Sequence, residues 1–128
     1  MLKRFISIAV AVMMLFCGCA HETAEENTYE QISQEAAKEM MDSQDVVILD
    51  VRERYEYDEV HVLGAVLLPL GSISEESAAS VIPSKDSAVL VYCRSGNRSK
   101  QASEKLVALG YTQVFEFGGI QTWPYEVE

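Results

Sequence analysis

Residues 88–99 read AVLVYCRSGNRS, and this stretch indicates both the fold class and the position of a reactive site. The first five residues are apolar, as in a strand that is buried inside a sheet. The strand ends at Cys93, small and basic residues follow, and an amphipathic helical pattern begins at Ser99. This order aims backbone N–H groups and the positive end of a helix dipole at the sulfur. We therefore expect Cys93 to be a nucleophile that acts on a small anionic substrate.

The chain on either side of this stretch alternates short apolar runs with amphipathic patterns. Strands that alternate with helices indicate an α/β fold with a mostly parallel sheet. In such sheets ligands bind beyond the carboxyl ends of the strands, which is where Cys93 falls. Further strands are predicted at 29–32, 46–51, 66–68 and 114–117, helices at 33–41, 52–59, 74–81 and 99–109, a tight turn at 118–119 and a helical turn at 120–123.

Length and charge limit the possible functions. A chain of 128 residues is long enough for one domain. Its formal net charge of -10 argues against general nucleic-acid binding, which needs a basic face. We expect a monomer that binds no nucleic acid.

The first residues have the pattern of an export signal. Lys3 and Arg4 form a positive start, and residues 5–16 are an uncharged apolar run. That run is too short for a membrane-spanning helix, which needs about 20 residues. Residues 15–19, LFCGC, resemble the lipobox of bacterial lipoproteins. The resemblance implies cleavage before Cys19 and lipid attachment to it; ordinary secretion and an uncleaved anchor are the alternatives.

This interpretation divides the chain into three segments. Residues 1–18 are a lipoprotein-type signal peptide, residues 19–28 a flexible tether and residues 29–128 the folded domain. The protein is then extracytoplasmic, held at a bacterial membrane by lipid on Cys19, on the periplasmic or cell-surface side. Because Cys17 leaves with the signal and Cys19 carries lipid, Cys93 is the only free thiol.

The five residues after Cys93 suit an anionic ligand. Gly96 permits backbone angles that let N–H groups converge on one point. Arg94 and Arg98 add forked donors for a sulfonate or phosphate group. Ser95 and Asn97 are small and polar and leave the cradle open. We expect all five residues to bind substrate.

Residues 29–123 resemble a single-domain rhodanese, a sulfurtransferase. The resemblance implies a three-layer α/β/α sandwich around a mostly parallel sheet of about five strands. It also implies that Cys93 forms a persulfide, cradled by the backbone from Arg94 to Arg98. The residues that carry it are Leu49-Asp50-Val51-Arg52-Glu53, Glu56-Tyr57, His61, Gly64-Ala65, Pro69-Leu70, the loop from Cys93 to Arg98, Gly118-Gly119-Ile120 and Trp123.

The resemblance further implies a two-step reaction. Cys93 takes sulfane sulfur from a small anionic donor, such as thiosulfate or a persulfide, and passes it to a thiophilic acceptor such as a thiol. No cofactor or metal is expected, and His21 and His61 lack ligand spacing. Asp50, Arg52, Glu53 and His61 are interpreted as hydrogen-bonding parts of the scaffold.

Two other functions remain open. A non-catalytic rhodanese module would carry persulfide or bind a partner without turnover. A cysteine-dependent phosphatase or arsenate reductase would use a similar loop, but in the related dual-specificity phosphatases five residues separate cysteine from arginine. Four residues separate Cys93 from Arg98, the sulfurtransferase length.

Overall fold

A computed structural model describes residues 27–128. These residues form a five-stranded sheet in the order β1-β5-β4-β2-β3, and every pairing in it is parallel. The strands are β1 Glu30–Gln31, β2 Val46–Asp50, β3 Val66–Leu67, β4 Ala88–Cys93 and β5 Gln113–Gly119. The helices are α1 Gln34–Ser43, α2 Arg54–Glu59, α3 Glu75–Val81 and α4 Asn97–Ala108, with 3-10 turns at Leu70–Ser72 and Ile120–Thr122.

Serine hydroxyls begin two of the helices. Ser33 Oγ accepts a hydrogen bond from the N–H of Ala36 at 3.0 Å, and Ser74 Oγ accepts one from the N–H of Ser77 at 3.0 Å. Each hydroxyl satisfies one of the free donors at its helix start. Both caps were predicted from the sequence, and both are confirmed.

Apolar side chains cover both faces of the sheet. On one face, α3 and α4 pack on the sheet through a cluster that includes Ala78, Ala102 and Leu106. On the other face, α1 contributes Ala37, which belongs to a cluster with Leu90 and other sheet residues. The fold is therefore the expected three-layer α/β/α sandwich. Cys93 belongs to the α3–α4 cluster, at the end of the sheet's central strand.

Several predicted boundaries differ from the structure by one or two residues, and two of the differences bear on the site. Helix α4 begins at Asn97 rather than at Ser99, because Gly96 adopts a left-handed φ of +105° and turns the chain directly into the helix. Residues 118–119 end β5 instead of forming a tight turn. Gly119 pairs with Cys93 across a register irregularity between β4 and β5.

The signal peptide 1–18, the lipidation of Cys19 and most of the tether 19–28 lie outside the described residues, and they stay predictions. Within the described residues, every helix is too short or too polar to cross a membrane.

Candidate active site

Cys93 ends β4, and the loop that follows it encloses the thiol. The residue is only 1% exposed. Its Sγ accepts a hydrogen bond from the backbone N–H of Gly96 at 3.0 Å and lies 3.4 Å from Ser99 Oγ. The structure thus places the predicted nucleophile where the central strand meets the first turn of α4.

The start of α4 provides a positive environment for this sulfur. Gly96 is the N-cap, and the helix that follows is 12 residues long. The unpaired N–H groups in the first turn of such a helix carry a positive partial charge. A negative sulfur at this position is therefore stabilised.

The ionisation of Cys93 reflects two opposing effects. Burial raises the pKa of its thiol, because desolvation disfavours the thiolate. The hydrogen bond between Cys93 and the Ser99 hydroxyl, and those from the backbone N–H groups of Ser99, Gly96 and Ser95, lower that pKa. The hydrogen bonds prevail, so the pKa of Cys93 lies below its ordinary value. The loop favours the nucleophilic form of the thiol.

The remaining loop residues form the mouth of the site. Arg94, Ser95 and Asn97 are exposed, whereas Gly96 is buried. The carbonyl oxygen of Arg94 accepts a hydrogen bond from the N–H of Gln121 at 3.2 Å, which ties the loop to the turn after β5. Arg94 also lines an open cleft beside the loop.

Arg98 is held by an ion pair that the sequence analysis did not predict. Its two terminal nitrogens donate to the two carboxylate oxygens of Glu56 on α2, at 2.7 and 2.9 Å. The hydrogen bond from Arg98 lowers the pKa of Glu56 to about 2. This bidentate pair occupies one edge of the guanidinium and fixes the first turn of α4 to α2.

Replacing Glu56 with glutamine is expected to lower the free energy of unfolding by about 1 to 2 kcal/mol at neutral pH, because it breaks a bidentate pair that is partly shielded from solvent. A carboxyl group with a depressed folded-state pKa stabilises the fold above its unfolded value of 4.5, and this stabilisation is lost as the pH falls towards about 2. Urea denaturation at several pH values measures the difference between the two proteins.

The matched control is Glu59→Gln, the same change at an exposed position on the same helix. This control is expected to differ little from the wild-type protein at every pH. A wild-type advantage over Glu56→Gln that stays constant from about pH 5 down to about pH 2 would contradict the ion-pair explanation.

A buried network that includes Asp50 and Arg52, as expected, supports the strands beneath the loop, whereas Glu53, expected in the same network, is exposed and is the N-cap of α2. Asp50 and Arg52 form a salt bridge at 2.7 Å, and the Tyr92 hydroxyl donates to Asp50 at 2.6 Å. His61 Nδ1 lies 2.8 Å from the carbonyl oxygen of Tyr57, and the two rings stack at 3.8 Å. These residues lie below or beside the site and belong to the scaffold.

Ser99 and Glu116 are polar residues near the thiol that were not predicted to be catalytic or binding residues. Ser99 Oγ donates to Glu116 Oε1 at 2.7 Å, and both residues are buried. The available signal was an acid between two phenylalanines in a predicted strand. Such an acid can equally face solvent, so the pattern alone did not separate the two environments.

A family model described as Rhodanese-like domain matches residues 33–125. The chain belongs to the rhodanese family. This match covers β2 to β5, the four helices and the loop from Cys93 to Arg98, so the expected family is confirmed over nearly all the described residues.

The relatives of this rhodanese domain include named sulfurtransferases. Thiosulfate sulfurtransferase GlpE of Coxiella burnetii is 36% identical over 96 residues, which are 74% of this chain and 87% of the relative. Thiosulfate sulfurtransferase PspE of Escherichia coli is 42% identical over 73 residues, 57% of this chain and 69% of the relative. Sulfur transfer is thus the activity for which these relatives are named.

Solved structures share the fold. A rhodanese with anions from E. coli has a TM-score of 0.61 and 36% sequence identity, covering 66% of this chain and 98% of its own. The Rhodanese-like domain of the Anabaena protein Alr3790 has a TM-score of 0.71 and 26% identity, covering 79% of this chain and 80% of its own.

Proposed function

We propose that this rhodanese domain moves sulfane sulfur from thiosulfate or a persulfide donor to a thiol acceptor through a persulfide on Cys93. The observation that carries the proposal is the Cys93 sulfur itself, which receives the Gly96 N–H at 3.0 Å and has a lowered pKa. A buried thiolate at the start of a helix is a nucleophile, and the positive end of the helix favours anions. The naming of the relatives as thiosulfate sulfurtransferases agrees with this chemistry.

The reaction takes place in two displacements. The Cys93 thiolate attacks the outer sulfur of thiosulfate, the sulfur–sulfur bond of the donor breaks, and sulfite leaves with the bonding electron pair. Cys93 then carries a persulfide anion, so the charge is balanced. In the second step an acceptor thiolate attacks the outer sulfur of that persulfide, and Cys93 leaves as a thiolate.

We propose that the exposed Arg94 side chain and the N–H groups of the loop bind the sulfonate end of such a donor. We propose that Arg98 acts on the donor mainly as a fixed positive charge, because Glu56 already occupies one edge of its guanidinium. Positive groups at this position stabilise the charge that builds up on departing sulfite.

Mass spectrometry of the thiosulfate-treated full chain tests this proposal. After alkylation, the peptide that carries Cys93 is expected to retain one additional sulfur atom, and dithiothreitol is expected to remove it. Protein whose thiols were blocked with iodoacetamide before treatment is the control and gains no sulfur. Thiocyanate production from thiosulfate and cyanide then measures turnover.

The other candidate functions give different results in the same assays. A sulfur-carrying module without catalysis would gain one sulfur on Cys93 but release thiocyanate only stoichiometrically. A phosphatase would hydrolyse p-nitrophenyl phosphate and gain no sulfur on Cys93. Either outcome would replace the proposed function.

A further inference from the structure

Glu116 is a buried acid in β5 that the proposed sulfur transfer does not use. The residue is 3% exposed. Its carboxylate accepts hydrogen bonds from the Ser99 hydroxyl at 2.7 Å and the Gly118 N–H at 2.8 Å, with Gln31 Nε2 at 3.5 Å. These three donors are neutral, and within residues 27–128 Glu116 forms no salt bridge. Buried acids in folded proteins are usually paired with a cation, so this one needs a physical explanation.

A continuous chain of hydrogen bonds connects this carboxylate to the nucleophile. The Cys93 thiol donates to Ser99 Oγ at 3.4 Å, and the Ser99 hydroxyl donates to Glu116 Oε1 at 2.7 Å. Ser99 is completely buried and lies between the two groups. A proton can therefore pass from the sulfur to the carboxylate without entering solvent.

We propose that Glu116 takes up the proton of Cys93 through Ser99. The S–H bond of Cys93 breaks and its proton moves to Ser99 Oγ, while the hydroxyl proton of Ser99 moves to Glu116. The electron pair stays on the sulfur, and the total charge of the Cys93–Glu116 pair does not change. Loss of the thiol proton to solvent would instead leave two anions on either side of Ser99, and like charges disfavour each other's ionisation.

The use of this relay in catalysis rests on the proposed function. Glu116 holds the proton while Cys93 attacks the donor and carries the persulfide. When the acceptor thiolate removes the outer sulfur, Cys93 leaves as a thiolate and the proton returns through Ser99. Glu116 also lines an open cleft of ≈ 350 Å³ on the β1 side of the loop, through which its proton can exchange with water.

Other charged and titratable groups face this pair from α2, from α4 and from the segment before β1. The positive charge of Arg98 interacts with Cys93, and Arg98 is also paired with Glu56. Tyr29 lies near both Glu104 and Glu116. Lys100 lines the same cleft as Glu116. All of these groups are retained in the variants described below. If the variants differ in how the alkylation rate of Cys93 depends on pH, the difference therefore comes from the relay.

The test is the rate of Cys93 alkylation by iodoacetamide on the full chain from about pH 4 to about pH 9, quantified on the peptide that carries Cys93. A coupled pair of groups loses its two protons in two steps as the pH rises. Between the two steps the pair holds one proton, and the fraction of molecules in which Glu116 holds it and Cys93 is a thiolate does not change with pH. The wild-type rate is therefore expected to be level between the two steps. In Glu116→Gln only the Cys93 thiol of this pair remains. The alkylation rate of that variant is therefore expected to fall about tenfold per pH unit below the pKa of the thiol.

Two further variants separate the relay from a structural role. Ser99→Ala removes the hydroxyl that links the thiolate to protonated Glu116, so its level section is expected to lie lower relative to the rate at high pH, which also decides the question if Glu116→Gln fails to fold. Glu116→Asp keeps a carboxyl group and is expected to restore a level section at a reduced rate. Wild-type, Glu116→Gln and Ser99→Ala profiles of the same shape, merely displaced along the pH axis, would overturn the relay and leave a simple charge effect.

Alkylation needs no sulfur donor, so this result is independent of the proposed function. A level section in a protein that gains no sulfur from thiosulfate would leave the relay standing and overturn only the function. Sulfur gain from thiosulfate together with pH profiles of identical shape would overturn the relay and leave the proposed function standing.

Discussion

Replacing Cys93 with serine is expected to reduce thiocyanate formation at least about 10³-fold, to the level of the uncatalysed reaction. A hydroxyl oxygen cannot carry sulfane sulfur as a persulfide, and it is far harder to deprotonate than a thiol. Steady-state thiocyanate production with the full chain measures this loss, and mass spectrometry checks that thiosulfate adds no sulfur at position 93.

The serine variant is a sharp test because the substitution is nearly isosteric. Cys93 is 1% exposed, and a hydroxyl group can keep the contacts with the Gly96 N–H and with Ser99. The melting temperature is therefore expected to change by no more than about 4 °C. Turnover near the wild-type value would contradict the assignment of Cys93 as the nucleophile. Cys17 and Cys19 would then be the cysteines to test.

The elements of the fold were largely predictable because each has a local cause. Alternating apolar strands and amphipathic helices predicted the parallel sheet, and Ser33 and Ser74 marked two helix starts. The start of α4 was placed two residues late because Asn97 and Arg98 are polar and extend no apolar face. That boundary depends on the backbone of Gly96, which hydrophobic periodicity does not report.

The site was predictable only where its residues are adjacent in sequence. The loop from Cys93 to Arg98 is one continuous segment, so its composition indicated its chemistry. The Arg98–Glu56 pair joins residues 42 positions apart, and the Ser99–Glu116 contact spans 17. Such pairs arise from strand order and helix placement, which no single stretch of sequence encodes.

The structure also shows how the loop from Cys93 to Arg98 is held in place. Glu56 fastens it to α2 through Arg98, and Glu116 fastens the first turn of α4 to β5 through Ser99. Donors that are fixed in advance stabilise developing charge without reorganising during the reaction. Steric contact with β5 should therefore matter as much as the charges do.

A methyl group added at Gly119 is expected to disable this site and to destabilise the fold by about 3 kcal/mol, which lowers the melting temperature by more than about 10 °C. A Cβ atom at this position would overlap the carbonyl group of Arg94 and lie 2.5 Å from the backbone N of Ser95. The φ of Gly119 is −141°, which any residue adopts, so the cost is purely steric. Thermal unfolding and the alkylation rate of Cys93 measure the two effects.

The matched control is Gly71→Ala, because a Cβ atom there has no heavy atom within 4 Å among the described residues. That variant is expected to change the stability by less than about 1 kcal/mol and to leave Cys93 alkylation unaltered. If Gly119→Ala behaved like Gly71→Ala, the backbone at 94–95 would have to move aside freely. The backbone of the loop would then be flexible, and the lowered pKa of Cys93 could not be attributed to N–H groups held in place by β5.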